Sequence, residues 1–279
     1  MRSVMLIYNN PLWPLALLAA GYLALVLWVY FSQERLLYFP DNSRPEFSTR
    51  FGLRPWPDIE NFRGFVSSTP LKEPKGIFMV WHGNAGSALD RTYFTDALER
   101  RGWRVILAEY PGYCGRAGQT TEKSLVADAL ATIDLARREF NLPICLVGES
   151  LGCGVAAAAA KERPWINGVI LITPWADLPE LAQAKYPYLP ARWLARDRYD
   201  NINNLRGYNG PVAVLLAEHD EVVPRRHGRR LFDSLAGKKH LMVFPSAGHN
   251  SWPSGADEKW WDEVIDFIAA GNGEGKIGI

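Results

Sequence analysis

Gly148-Glu149-Ser150-Leu151-Gly152 lies between an apolar run at residues 144–147 and an alanine-rich run at residues 155–160. A short apolar run followed by an alanine-rich one reads as a strand turning directly into a helix, and in that setting Gly-x-Ser-x-Gly is the sharp turn that presents a nucleophilic serine. The turn places the serine in a strained backbone conformation, and the glycines two residues away on either side leave room for helix and strand to close on each other. The first N–H groups of the following helix have no partner within it and point toward the serine, where an oxyanion would form.

A serine hydroxyl is too weak an acid to attack a carbonyl unaided, so the motif calls for an imidazole and a carboxylate. Two downstream residues supply them. Asp220 follows the apolar run 212–217, and His249 follows the apolar run 241–244. Each therefore stands on a loop just past a strand, in the chain order Ser, Asp, His. Asp177, which follows another strand, is an alternative acid; the Glu-Val-Val-Pro that follows Asp220 favours the latter. Upstream, residues 75–81 read as a strand and His82-Gly83-Asn84-Ala85-Gly86 follows it. The loop after that strand and the residue after the nucleophile are the places for oxyanion donors, which assigns them to the backbone N–H groups of Asn84 and Leu151. His82 is expected to hold this loop by hydrogen bonding rather than to react. Glu109 and Glu149, near strand tips, are expected either to make local hydrogen bonds or to shape the pocket mouth.

These segments, with Tyr110-Pro111-Gly112-Tyr113, resemble the α/β-hydrolase superfamily. Gln33-Glu34-Arg35-Leu36-Leu37-Tyr38-Phe39-Pro40 further resembles the membrane-anchored, Bem-like serine hydrolases. The likeness extends over residues 33–270. It implies a cofactor-free hydrolase of esters, thioesters or, less often, peptides. Cys114-Gly115 and Glu109 depart from the pattern, where glycine directly after the tyrosine and an aspartate are common. Neither touches the three candidate catalytic residues.

The rest of the chain fits an α/β fold. Strands are expected at 61–67 (antiparallel), 75–81, 105–109, 144–147, 169–173, 212–217 and 240–244. Helical faces fall between them: Tyr93, Phe94, Ala97 and Leu98; then Leu125, Val126, Ala129, Leu130, Ile133 and Ala136; then Trp260, Trp261, Val264, Ile265 and Ile268, closed by Gly271. Such alternation gives a mostly parallel sheet with helices on both faces. The 37 residues between Thr173 and Pro211 are too many for an unstructured connection. The resemblance makes this segment, at about 175–210, a cap insertion. Its aromatic residues, Trp175, Tyr186, Tyr188, Trp193 and Tyr199, either line a pocket for an apolar group or simply pack the cap onto the domain.

The N-terminus carries a second signal. Residues 11–31 form a charge-free run of 21 residues, and no charge falls between Arg2 and Glu34. As a helix it would reach ~31 Å, one bilayer hydrocarbon thickness. Trp13 near one end and Trp28, Tyr30 and Phe31 near the other suit the two interfaces. A cleaved signal peptide is the main competitor and a buried helix the other, but a signal peptide's apolar region is shorter and ends in small residues, whereas large aromatics close this one. The organisation expected is a membrane anchor at 1–32, one hydrolase domain at 33–270 and a glycine-rich flexible tail at 271–279. Arg2 before the run against Arg35, Arg44 and Arg50 after it leans toward a cytoplasmic catalytic domain.

Composition narrows the function. A net charge of +1 gives no reason to expect nucleic acid as a partner, and 48% hydrophobic residues can build a large core. Three cysteines form no disulfide framework; Cys145 and Cys153 read as core residues, and Cys114 in a glycine-rich loop is a rival nucleophile. No His or carboxylate spacing resembles a zinc site, so no metal and no cofactor are expected. The reading is a membrane-anchored serine hydrolase with a hydrophobic acyl ester or thioester substrate, an S-acylated protein included. A serine peptidase of the same fold and a non-catalytic membrane-tethered binding module are the alternatives.

Overall fold

The computed structural model describes residues 12–41, 43, 52–69 and 71–270. Arg2, Pro11, Arg44, Arg50 and the tail at 271–279, which entered the expectations above, lie outside the described residues. An eight-stranded sheet forms the centre of the molecule. Its strands are β2 (Leu53–Trp56), β3 (Gly64–Ser67), β4 (Ile77–Trp81), β6 (Arg104–Ala108), β7 (Ile144–Glu149), β8 (Gly168–Ile172), β9 (Val212–Ala217) and β10 (Lys239–Phe244), in the order β10-β9-β8-β7-β4-β6-β3-β2. From β10 to β6 the pairing is parallel; β3 and β2 join antiparallel at the edge. Strands β4, β7, β8 and β9 are buried at every position, as a parallel sheet covered on both faces requires. A separate two-residue parallel pair, β1 (Phe39–Pro40) with β5 (Ala85–Gly86), lies after the N-terminal helix.

Two apolar layers cover the sheet. One contains α3 (Glu122–Phe140), whose buried Leu125, Ala129, Ile133 and Ala136 recur at helical spacing. Thr121 caps its N-terminus by accepting from Ser124 N, and Asn141 closes it in the left-handed conformation at φ +49°. The same layer holds α4 (Leu151–Glu162), buried from Leu151 through Ala160. An amphipathic stripe is absent there because neighbours surround the helix, and alanine lets them approach closely. The opposite layer contains α2 (Thr92–Glu99) and α9 (Glu258–Ala270), with Phe94, Leu98, Trp260, Trp261, Val264, Ile265 and Ile268 buried. The sequence faces for these helices coincide with the buried ones, Tyr93, Val126 and Leu130 being left less enclosed.

The connection after β8 folds as three short helices: α5 (Leu178–Lys185), α6 (Ala191–Leu194) and α7 (Asn201–Leu205). Its aromatics divide into two sets. Trp175 and Tyr199 are core residues, with the Trp175 indole N–H donating to Tyr199 O. Tyr186, Tyr188 and Trp193 are exposed. The packing role thus holds for the first pair, and the second set faces outward. Helix α8 (Arg225–Ser234) follows β9.

The N-terminal run is a helix, α1 (Trp13–Leu37), with no buried residue. It continues past residue 32 to Leu37, where the Tyr38 N–H donates to Glu34 O and Tyr38 turns extended. Among the described residues Tyr38 is the first with a buried side chain, its hydroxyl within hydrogen-bonding distance of Asp197 Oδ2 (2.6 Å) and Tyr199 Oη (3.0 Å).

One contact in the α4 layer is set by a missing side chain. A Cβ at Gly154 would overlap the Tyr199 ring, so glycine there lets the cap segment seat on α4. Gly154→Leu is expected to destabilise by about 1–3 kcal/mol through overpacking. Urea unfolding should show a lower midpoint with an unchanged slope.

Candidate active site

Ser150 stands between β7 and α4 with φ +52° and ψ −110°. A β-carbon residue adopts such a conformation only where its surroundings over-determine it. They do so here. Ser150 N–H donates to Ile172 O on β8 at 2.9 Å, and Cys153 N–H donates to Ser150 O at 3.0 Å. A Cβ at Gly148 would overlap Gly152 O, and one at Gly152 would overlap Trp81 O on β4. The two glycines are therefore required by close backbone approach across the strand–helix junction.

His249 and Asp220 converge on this serine from the loops after β10 and β9. Ser150 Oγ lies 2.9 Å from His249 Nε2, and His249 Nδ1 lies 2.8 and 3.0 Å from the two Asp220 carboxylate oxygens. A carboxylate only accepts, so Nδ1 carries the proton and Nε2 turns its lone pair to the serine hydroxyl. Asp220 is held in turn by the N–H groups of Val222 and Val223 at 2.9 and 2.6 Å. Glu221 accepts from His249 N–H at 3.1 Å, which fixes the backbone of the imidazole-bearing loop. Asp177 is elsewhere occupied: it caps α5 by accepting from Glu180 N–H at 2.9 Å.

The His82–Gly86 loop lies against Ser150: a Cβ at Gly83 would stand 3.7 Å from Ser150 Cβ. His82 is fully buried, with Nδ1 2.8 Å from Gly83 O and Nε2 2.8 Å from Glu109 Oε1. Glu109 also accepts from the Ala88 and Tyr110 N–H groups, and the Tyr110 hydroxyl donates to His82 O at 2.7 Å. Glu109 is thus a buried brace behind the loop: of its two expected roles it plays local hydrogen bonding, and it does not stand at a pocket mouth. Its extra methylene, relative to aspartate, carries a carboxylate that meets His82 and Ala88 together.

Two further supports carry little or no sequence signal. Glu149 accepts from Arg91 Nε at 2.7 Å and from the Tyr93 hydroxyl at 2.9 Å, tying the residue before the nucleophile to the turn beyond the loop. Asn84 is bound to the chain that leaves α1: its Nδ2 donates to Leu37 O at 2.8 Å, and its carbonyl accepts from Phe39 N–H at 2.9 Å and the Tyr113 hydroxyl at 2.7 Å. Only the β-prone Tyr38-Phe39 following the helix hints at this pairing.

Cys114 is buried with φ +51°. Burial first, and the nearby Glu109 carboxylate second, push its thiol up to about 12. A protonated thiol is a poor nucleophile.

A buried nucleophile elbow joined to a Ser-His-Asp chain on a mostly parallel, helix-covered sheet defines a class, and the comparisons with known proteins agree with it. Residues 72–206 match the family described as Serine aminopeptidase, S33. The uncharacterized protein Rv2307c of Mycobacterium tuberculosis is 31% identical over 245 residues, spanning 84% of this chain and 85% of that protein. Lysophosphatidylserine lipase ABHD12 of Xenopus tropicalis is 27% identical over 258 residues, 77% of this chain and 67% of that one. Among solved structures, the Pyrococcus furiosus esterase Pf2001 superimposes with a TM-score of 0.66 over 84% of this chain and 98% of its own, at 15% identity. The chain belongs to the α/β-hydrolase superfamily.

The Cys114 environment has a direct consequence. With its thiol near 12, roughly one molecule in ten thousand is ionised at pH 8. Iodoacetamide at that pH should leave Cys114 of the native protein unmodified while it alkylates the urea-unfolded chain, as read by peptide mass spectrometry. Rapid native alkylation would show an accessible thiolate.

Proposed function

We propose that this protein is a membrane-anchored serine hydrolase that cleaves carboxylic ester or thioester bonds through an acyl-enzyme. The observation that carries the reading is the unbroken hydrogen-bonded chain from Ser150 through His249 to Asp220, built on a serine at φ +52°. Ser150 Oγ attacks the acyl carbonyl as its proton passes to His249 Nε2. Asp220 holds the imidazole in the right tautomer and stabilises its charge. The backbone N–H groups of Asn84 and Leu151 take the oxyanion: Leu151 opens α4, and Asn84 follows the glycine that faces Ser150. His249 then protonates the leaving alcohol or thiol. Water, deprotonated by His249, attacks the acyl-enzyme and releases the acid with Ser150 restored.

A lipid-like acyl ester is the substrate class we favour, with a lysophospholipid as the nearest chemical type. The relative named as a lysophosphatidylserine lipase and the long apolar helix beside the cap both support it. Thioesters, including S-acylated proteins, use the same machinery. The likeness of residues 33–40 to Bem-like hydrolases accords with an anchored enzyme. A peptidase is the second reading, favoured by the description of the matched family. An aminopeptidase needs a carboxylate for the substrate's terminal ammonium, and Glu109 and Glu149 are buried and committed to internal partners. That commitment is why we place esters first.

A fluorophosphonate should label Ser150, and Ser150→Ala should abolish labelling in folded protein. Turnover of a short-chain ester should fall almost equally in Ser150→Ala, His249→Ala and the double variant, because the residues act as a unit. Asp220→Asn should lower kcat by about 10⁴, whereas Asp177→Asn changes it little. An adduct on Cys114, or additive losses, would overturn the assignment.

The anchor is tested separately. α1 has 25 residues and none is buried. Inserting about 20 apolar residues is effectively irreversible. Full-length protein should stay with membranes through high-salt and alkaline washes and leave only with detergent. Release by the washes, or a mature N-terminus inside the apolar run, would refute the anchor.

A further inference from the structure

Helix α1 does not leave the domain alone. Its last four turns run beside the cap segment. Gln33 donates from Nε2 to Leu194 O at 2.9 Å and accepts from Arg196 N–H at 2.9 Å, the Arg196 guanidinium stands over the Tyr30 ring, and the Tyr22 hydroxyl donates to Tyr188 O at 2.9 Å. Between helix and cap is an apolar slot of about 150 Å³ whose walls include Val29, Leu36, Leu178, Tyr186 and Leu194. The contact with Tyr188 matters most, because Tyr22 is far from the domain end of the apolar run. From Phe31 to Tyr22 the helix climbs about 13 Å, close to half the ~30 Å hydrocarbon thickness. A helix side chain leans toward the N-terminus, so the Tyr22 hydroxyl stands no lower than its own Cα.

The composition of the cap tip matches that height. Tyr186, Pro187, Tyr188 and Trp193 are exposed, Tyr188 at 88% and Trp193 at 85%. Between Glu180 and Asp197 the sequence has no acidic residue, and its cations are Lys185, Arg192 and Arg196, all exposed. Large aromatics with long cationic side chains, which can carry their charge up to phosphates, suit the headgroup–acyl boundary of a leaflet.

We propose that the cap tip, residues 186–193, is a membrane-embedded face that enters the same leaflet as α1 and seats its aromatic side chains among the lipid acyl chains. The enzyme then meets the bilayer at two elements held together by hydrogen bonds, and the slot between them opens toward lipid rather than water. This rests on the anchored reading above. Free water around the tip would require Tyr188 to be solvated at the level of mid-span residue Tyr22, which a spanning α1 forbids.

The test uses the full-length protein in phosphatidylcholine vesicles. An environment-sensitive fluorophore is attached at Tyr188→Cys, Trp193→Cys, Leu18→Cys on the helix, or Lys259→Cys on α9. The three native cysteines are buried and do not compete for label, and fluorophosphonate labelling of each variant reports that it is folded. Lipids spin-labelled on the acyl chains should remove most of the emission at positions 18, 188 and 193, and aqueous iodide should quench only position 259. If 188 and 193 respond to iodide as 259 does while 18 stays lipid-quenched, the anchor stands and the embedded cap is overturned. If 188 and 193 respond to neither quencher, protein covers them, and the proposal falls in favour of a second copy. If position 18 also escapes lipid quenching, the anchored reading fails and takes this one with it.

Discussion

The structure depends on how closely α4 approaches β4 and β7. Gly152 stands against the Trp81 carbonyl and Gly148 against the backbone of residues 152 and 153, so a single methyl group at either position would force helix and sheet apart. That approach holds Ser150 at φ +52°, directly before the first residue of α4. It also brings the end of β4, and with it the His82–Gly86 loop, beside the serine. Ser150 and the His82–Gly86 loop are neighbours because the two glycines let helix and sheet close on each other.

Close packing alone would leave the loop free to pivot, and buried polar contacts remove that freedom. His82 and Glu109 form a pair without solvent contact, and Glu109 also receives two backbone N–H groups. A buried pair stabilises little relative to apolar side chains, yet loss of one partner leaves an uncompensated polar group and costs several kcal/mol. Such a pair therefore specifies a geometry rather than adding stability. Arg91 and Glu149 do the same on the outer side. Each brace joins the loop region to a different strand end, one to β6 and one to β7.

Much of this was legible in the sequence. Ser150, Asp220 and His249 each follow a run that forms a strand, because a fully buried parallel strand needs an unbroken apolar segment and its C-terminal end is where loops gather. Strand ends differed where backbone conformation decides: Thr173 lies outside β8 because its φ is +51°, and β7 continues to Glu149 because that residue still pairs with Ile172. Strand β2 escaped notice because Arg54-Pro55 breaks its alternation; proline is tolerated there on an edge strand. The Asp177-x-x-Glu180 spacing did carry the signature of a helix cap, which is the part Asp177 plays. The partners of Glu149 and Asn84 were invisible, because contacts between residues 91 and 149, or 37 and 84, leave no trace in local pattern.

The pairing of β1 with β5 has a thermodynamic side. Asn84 is hydrogen-bonded to Leu37 and Phe39, the residues through which α1 enters the domain. Coupling free energies are reciprocal. Whatever these bonds contribute to fixing the His82–Gly86 loop, they contribute equally to fixing the direction in which the helix departs. The conformation of residue 84 and the orientation of the helix are therefore coupled: whatever stiffens residue 84 narrows the range of directions the helix can take, and whatever holds the helix in one direction biases the loop in return.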